Sequence, residues 1–192
     1  TYHLISVPNR YNLADTQNFS RFYPKRLQAE VLLDAIDELT GATTQFANLP
    51  AGTRAIALPD NSYNKSSPFL KVFGRPENQS VCECERVESA SLAQSLHLIN
   101  AADIRGKLAT AGGTADRLAE DPRPLEERIA DLYRLAFSRE PTAQELETAA
   151  SFFAEPRIDA SGKPIDAVQS AKHNFQDWLW AMINSKEFLF NH

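Results

Sequence analysis

Apolar residues recur every three or four positions in several stretches of the chain, which is the spacing that lines one face of an α-helix. The clearest stretch runs from Arg26 to Thr40, with Pro24 before it and Gly41 directly after it. Proline near the start and glycine past the end are typical helix boundaries. The pattern therefore predicts a helix over 26–40. Its apolar positions, expected to face a core, are Leu27, Val31, Leu32, Ala35, Ile36 and Leu39.

Further helices are predicted near residues 68–73, 90–108, 124–137, 143–153 and 166–184, from the same spacing or from boundary signals. Thr142 and Glu145 form a capping box, in which the hydroxyl and the carboxylate bond backbone amides that the helix start leaves unpaired. Phe188, Leu189 and Phe190 are expected to tuck against the body. The residues predicted to face inward on three of these helices are Leu92, Ala93, Leu96 and Ile99, then Leu146, Ala149, Ala150 and Phe153, then Val168, Ala171, Phe175, Trp178, Leu179 and Met182.

These elements predict a mainly α-helical, multi-helix domain with an irregular middle segment and at most a short β-hairpin. The run Arg54 to Leu58, which lies between turn-forming residues, predicts one short strand. Residues 1–192 are predicted as a single helical domain. It divides into an irregular lead-in (1–25), N-terminal helices with a Cys-x-Cys segment (26–110) and a C-terminal helical part (111–192). A start at Thr1, without a basic stretch or an apolar run, indicates a processed piece or a domain cut from a larger protein.

The helix predicted over 26–40 carries four acidic residues, Glu30, Asp34, Asp37 and Glu38, on its polar side. This spacing can bring two carboxylates together for acid and base catalysis. A water-facing polar side is the commoner arrangement on an amphipathic helix. We therefore expect these acids to face solvent.

Composition removes two classes of protein. The 192 residues include 20 Lys and Arg against 25 Asp and Glu, a net charge of −5, whereas a dedicated nucleic-acid binder shows a basic surplus. The longest apolar run is 178–183, far shorter than the roughly 20 residues of a membrane-spanning helix. The sequence also lacks the nucleophile elbow, His-Glu-x-x-His, P-loop, dinucleotide and Cys-x-x-Cys-His haem motifs. Gly112 and Gly113 are interpreted as a connector.

The two cysteines, Cys82 and Cys84, alternate with Glu83 and Glu85. In an extended chain both thiols project to one face with Cα atoms about 6.6 Å apart, so a disulfide between them would be strained. The same thiols supply half of a tetrahedral metal site, which His97 or a carboxylate such as Glu85 would help complete. The commonest role of such cysteines is as small buried apolar side chains. All three interpretations remain open, and a partly buried structural role is favoured for His97.

Six stretches in order resemble one family. They are 21–36 (RFYPKRLQAEVLLDAI), 52–60 (GTRAIALPD), 73–76 with 82–86 (FGRP and CECER), 96–100 (LHLIN), 132–133 with 138–142 (LY and SREPT), and 184–192 (NSKEFLFNH). This is the C-terminal domain of unknown function found in large exported planctomycete proteins. There it accompanies planctomycete cytochrome-c-like domains and a second uncharacterised domain.

The resemblance implies an exported protein of the periplasm or cell envelope with upstream domains in the same polypeptide, and haem only if another domain supplies it. It implies no reaction. It also makes Arg54, Asp60, Arg75, Glu83, Arg86 and the two cysteines part of a family motif. We interpret its charged residues as a buried ion-pair network that holds irregular loops on the helices. Neither a nucleic-acid partner nor a transmembrane segment is expected.

Three functions are therefore consistent with the sequence. The first is a non-catalytic structural or interaction module, because helix-packing signals abound and the common catalytic motifs are missing. The second is a metal or redox module centred on Cys82 and Cys84 that works with a c-type cytochrome domain. The third is a hydrolase acting on polysaccharide, for which paired carboxylates would be needed.

Overall fold

The protein is built from helices in the computed structural model, which describes residues 6–15, 17–18, 20–60, 62–63, 67–76, 91–159 and 161–191. The helices are α1 (Ala29–Thr40), α2 (Pro68–Val72), α3 (Leu92–Asn100), α4 (Ala102–Leu108), α5 (Thr114–Glu120), α6 (Leu125–Phe137), α7 (Ala143–Ala154), α8 (Ala167–Ile183) and α9 (Lys186–Leu189), with a 3₁₀ helix (Ala55–Ala57) before α2. Two-residue strands β1 (Lys25–Arg26) and β2 (Phe190–Asn191) pair antiparallel. The predicted mainly α-helical fold is confirmed.

Helix α1 lies at the centre of the fold and contacts α2, α4, α5, α6 and α8. Leu32, Leu33, Ile36 and Leu39 are fully buried among these helices. Their spacing of three and four residues is the one that predicts the helix, and Gly41 ends it in the left-handed conformation, with φ of 70°. Val31, predicted to face the core, is instead exposed at the edge of the apolar side.

The predicted strand over 54–58 is wrong. Residues 55–57 form a 3₁₀ helix because the carboxylate of Asp34 accepts hydrogen bonds from the backbone N–H groups of Ala55 (2.6 Å) and Ile56 (3.1 Å). These amides are therefore not available for a strand ladder. The expected connector at Gly113 leads directly into α5, a seven-residue helix too short to show a clear period.

Helices α5 and α8 pack against each other, and both pack on α1. The start of α5 approaches the end of α1 closely at Gly113, where a Cβ atom would lie 2.8 Å from the carbonyl oxygens of Thr40 and Thr110. On α8, Phe175 and Leu179 are fully buried as predicted, whereas Val168 is exposed.

The end of the described chain returns to its beginning. Strand β2 pairs with β1, and the N–H of Leu27 donates to the carbonyl of Leu189 over 2.9 Å. Phe188 is buried, so the tail tucks against the body as expected. None of the helices in the described ranges has the length and hydropathy needed to cross a lipid bilayer.

Candidate functional site

The acids of α1 do not form a water-facing side, so that prediction is wrong. Glu30 and Asp34 are buried, Asp37 is half-buried, and Glu38 is exposed. Periodicity shows which residues share a face of a helix, but it cannot show what packs on the polar face. On α1 the polar face is covered by loops and helices that are distant in sequence.

Glu30 forms a buried ion pair with Arg75, which follows α2. The Nε of Arg75 donates to Oε1 of Glu30 over 3.1 Å, and both side chains are less than a tenth exposed. Arg75 also reaches the carbonyl of Leu58 through Nη2, at 3.5 Å. One guanidinium therefore joins the start of α1 to the end of the irregular middle segment.

Asp37 performs a similar role at the other end of α1. It accepts a hydrogen bond from the N–H of Thr44 (2.7 Å) and pairs with the ammonium of Lys107 on α4. Lys107 also donates to the hydroxyl of Thr44 over 2.5 Å. Together with Asp34, which caps the 3₁₀ helix, these contacts show that three of the four acids act as acceptors for neighbouring segments.

The motif residues Arg54, Asp60 and Arg75 lie around the same middle segment. The exposed Arg54 places Nε 3.6 Å from Oδ2 of Asp34. The hydroxyl and amide of Ser62 and the positive charge of Arg75 hold the pKa of Asp60 below its ordinary value. Glu83 and Arg86 lie outside the described residues. The five-residue network therefore stays a prediction, and Glu30, Asp34 and Asp37 are the partners that sequence reasoning missed.

Cys82, Cys84 and Glu85 also lie outside the described residues, so the metal and redox interpretations stay predictions. His97 is largely buried on α3. Its ring contacts those of Phe69 and Phe73 edge-on, with centroids 5.7 and 6.2 Å away, and Nε2 lies 3.3 Å from a carboxylate oxygen of Asp103. Within the described ranges, no group of three or more His, Cys, Asp or Glu is arranged to hold a metal ion.

A polar cleft of about 460 Å³ lies beside the end of α1. Asp37 and Glu38 line one side, and the exposed Arg54 and Arg117 contribute positive charge. Arg117 donates to the carbonyl of Gly112 and the hydroxyl of Thr114, at 3.3 and 3.0 Å. Most of the charged groups in this cleft therefore already hold contacts within the chain.

Helix α3 presents its apolar side to solvent. Leu92, Leu96 and Ile99 are 75%, 49% and 46% exposed, although their spacing of four and three residues predicts a buried face. The residues that it buries are Gln94 and Leu98. At about 100° per residue, the exposed and buried sets lie on opposite sides of the helix.

Polar contacts explain this orientation. Gln94 closes a capping box with Ser91 and donates from its side chain to the carbonyl of Val72 over 3.2 Å. His97 fits against the aromatic rings of α2 and its C-cap. The polar side of α3 is thereby directed inward, and none of the residues that the structure describes covers its apolar side.

The uncovered stripe continues into an apolar groove of about 730 Å³ between α4, α7 and α8. Ile99 belongs to both, and the charged residues Arg105 and Asp177 line the groove with the apolar ones. We call the combined region the α3–α8 surface. Its apolar residues are Leu92, Leu96, Ile99, Leu108, Phe152, Trp178 and Trp180.

The sequence contains one signal for this surface. Among the α-helices of the described chain, α3 alone lacks Asp, Glu, Lys and Arg. A helix without charged residues on its polar side is unlike an ordinary surface helix, which carries charges opposite its apolar face. Helix α3 therefore differs from an ordinary surface helix in its composition as well as in its orientation.

Comparison with known proteins gives a family and no function. No curated protein and no solved structure matches the chain. A protein family described as "PSD1: Protein of unknown function (DUF1553)" matches residues 1–153, which agrees with the resemblance to a domain of unknown function. Helices α8 and α9 lie outside the matched range, although α8 contributes fully buried residues to the core. The chain therefore belongs to the PSD1 family of proteins of unknown function (DUF1553).

Proposed function

We propose that this chain is a non-catalytic interaction module of an exported, cytochrome-associated multidomain protein. The observation that carries the proposal is the α3–α8 surface. Its apolar stripe faces solvent while the polar side of the same helix is buried. Contiguous exposed apolar patches are a common feature of sites where another protein binds.

The chemistry of the surface suits a protein partner. Trp178 and Trp180, the two tryptophans of the chain, line the groove and are half-buried. Tryptophan is enriched among the residues that contribute most to protein–protein binding. Arg105 and Asp177 add charges of both signs, an arrangement typical of interfaces with an apolar centre and a polar rim.

The use of the acids supports the same proposal. Glu30, Asp34 and Asp37 stabilise the irregular middle segment through an ion pair, capping bonds and a lysine contact. These contacts give the polar side of α1 a structural role. The resemblance to exported planctomycete proteins supplies the setting, a polypeptide at the cell envelope whose upstream domains include cytochrome-c-like ones.

The proposal is tested by hydroxyl-radical footprinting of the intact exported protein. Leu96 on the surface and Leu135 on α6 are nearly equally exposed, 49% and 46%, so they form a matched internal pair. If a partner covers the surface, Leu96 and Trp180 react several-fold more slowly in the intact protein than in the isolated monomeric chain, while Leu135 reacts equally in both. Equal reaction rates for Leu96 in the two samples would contradict the proposal.

A further inference from the structure

We infer that the α3–α8 surface binds a second copy of this chain, with a two-fold axis close to Leu96. The inference rests on the proposed function and names the occupant of that surface. Three properties carry it: the spacing of the apolar stripe, the distribution of charge and the position of the groove.

The stripe is nearly symmetric about Leu96. Leu92 lies four residues before it and Ile99 three residues after it, all on one side of α3. When two such helices pack antiparallel about a two-fold axis, Leu96 meets its own counterpart, and Leu92 of each copy lies opposite Ile99 of the other. A two-fold interface uses the same patch on both copies, so the patch must be complementary to itself.

Charge favours contact at this position. The chain carries a net charge of −5, so two copies repel each other over most approaches. Helix α3 has no Asp, Glu, Lys or Arg, and therefore brings no like charges together at the axis. Arg105 and Asp177 line the same groove with opposite signs. Asp177 already pairs with Arg157 of its own chain, so a two-fold rotation can bring Arg105 of each copy to that existing ion pair in the other copy.

The groove supplies the remaining contact area. A specific interface buries about 800 Å² on each partner, which three side chains on one helix cannot provide. Because Ile99 lines the groove, Leu92 of the second copy is brought to the groove, where Trp178, Trp180 and Phe152 lie. Leu92 is also the most exposed residue of the stripe, at 75%. Leu92 of each copy therefore packs into the aromatic groove of the other copy.

The test is sedimentation analysis of the isolated chain from low to several hundred micromolar. The wild-type chain is expected to reach twice the monomer mass. Leu96→Glu places two carboxylates against each other at the axis and is expected to weaken association by about 100-fold or more. Leu135→Glu, a substitution of the same type at an equally exposed position, is expected to leave association unchanged. Far-UV circular dichroism checks that both variants are folded.

Tryptophan emission provides a second measurement, since both tryptophans line the groove. Their emission is expected to shift to shorter wavelength as the wild-type chain associates and to be independent of concentration in Leu96→Glu. A chain that stays monomeric at the highest concentration overturns the inference, as does a dimer that Leu96→Glu leaves intact. If the chain is monomeric but Leu96 is protected in the intact protein, a different domain covers the surface, and the interaction module stands without the second copy.

Discussion

Removing Arg75 is expected to destabilise the fold severely, because the buried carboxylate of Glu30 would lose its ion pair with the Arg75 guanidinium. The two side chains are 5% and 8% exposed and are joined by a 3.1 Å hydrogen bond. Breaking a buried ion pair by removing one member costs about 3–5 kcal/mol, mainly through the uncompensated charge that remains. For the Arg75→Met variant, this loss is a large part of a typical unfolding free energy of about 5–15 kcal/mol.

The measurement is urea-induced unfolding at neutral pH, followed by far-UV circular dichroism. We expect Arg75→Met to lower the free energy of unfolding by about 3–5 kcal/mol. The slope against urea should stay unchanged, since the surface exposed on unfolding is the same. Arg54→Met is the matched control. Its side chain is 66% exposed and its Nε lies 3.6 Å from Asp34, so its loss should cost less than about 1 kcal/mol.

The double variant Glu30→Gln/Arg75→Met separates charge from packing. It retains the volume at position 30 but removes the buried negative charge, so it should be more stable than Arg75→Met alone. If Arg75→Met loses no more than Arg54→Met, or if the added Glu30→Gln substitution lowers stability further, the buried charge is not what makes Arg75 important.

Four further predictions concern the C-terminal region, two glycines and one ion pair. Residues 154–192 lie beyond the family match, and their deletion should abolish cooperative thermal unfolding. The reason is that the core would lose Phe175, Leu179 and Ile183. A cooperative transition in a chain of residues 1–153 would contradict this expectation. Gly113→Ala should lower the melting temperature, since its Cβ would lie 2.8 Å from two carbonyl oxygens. Gly106→Ala, on α4 with nothing within 4 Å, should raise stability by up to about 1 kcal/mol in urea unfolding. Arg139, which bonds Glu145 and Glu187, lowers the pKa of Glu145 together with the amide and hydroxyl of Thr142, from 4.5 to about 2. The stability gained from this shift is present above pH 4.5 and is lost as the pH falls towards 2. Arg139→Ala should reduce, without abolishing, that part of the acid dependence in a pH series of thermal melts.

The C-terminal region shows why a family boundary and a folding unit need not coincide. The match ends at residue 153, within α7. Helix α8 nevertheless packs against α5 and α1, and Leu189 bonds back to Leu27. The residues beyond the match therefore complete the core that the matched residues begin.

Sequence alone determined the elements whose signals are local. The apolar spacing of α1 and α8, the capping box at Thr142 and Glu145 and the proline at the start of α2 each predict a helix that the structure contains. Such signals are readable because they depend on residues within a turn or two of each other. Helix α5, with only seven residues, carried too little of the pattern to be recognised.

Only the tertiary structure decided which faces are covered. A period of 3.6 residues places Leu92, Leu96 and Ile99 on one side of α3 and the acids of α1 on one side of α1, but it does not say what lies against either side. Gln94 and His97 direct the polar side of α3 inward through contacts with α2 residues more than 20 positions away. Arg75 covers Glu30 from 45 positions away. Such distant partners determine which residues are buried, and a pattern of neighbouring residues cannot identify them.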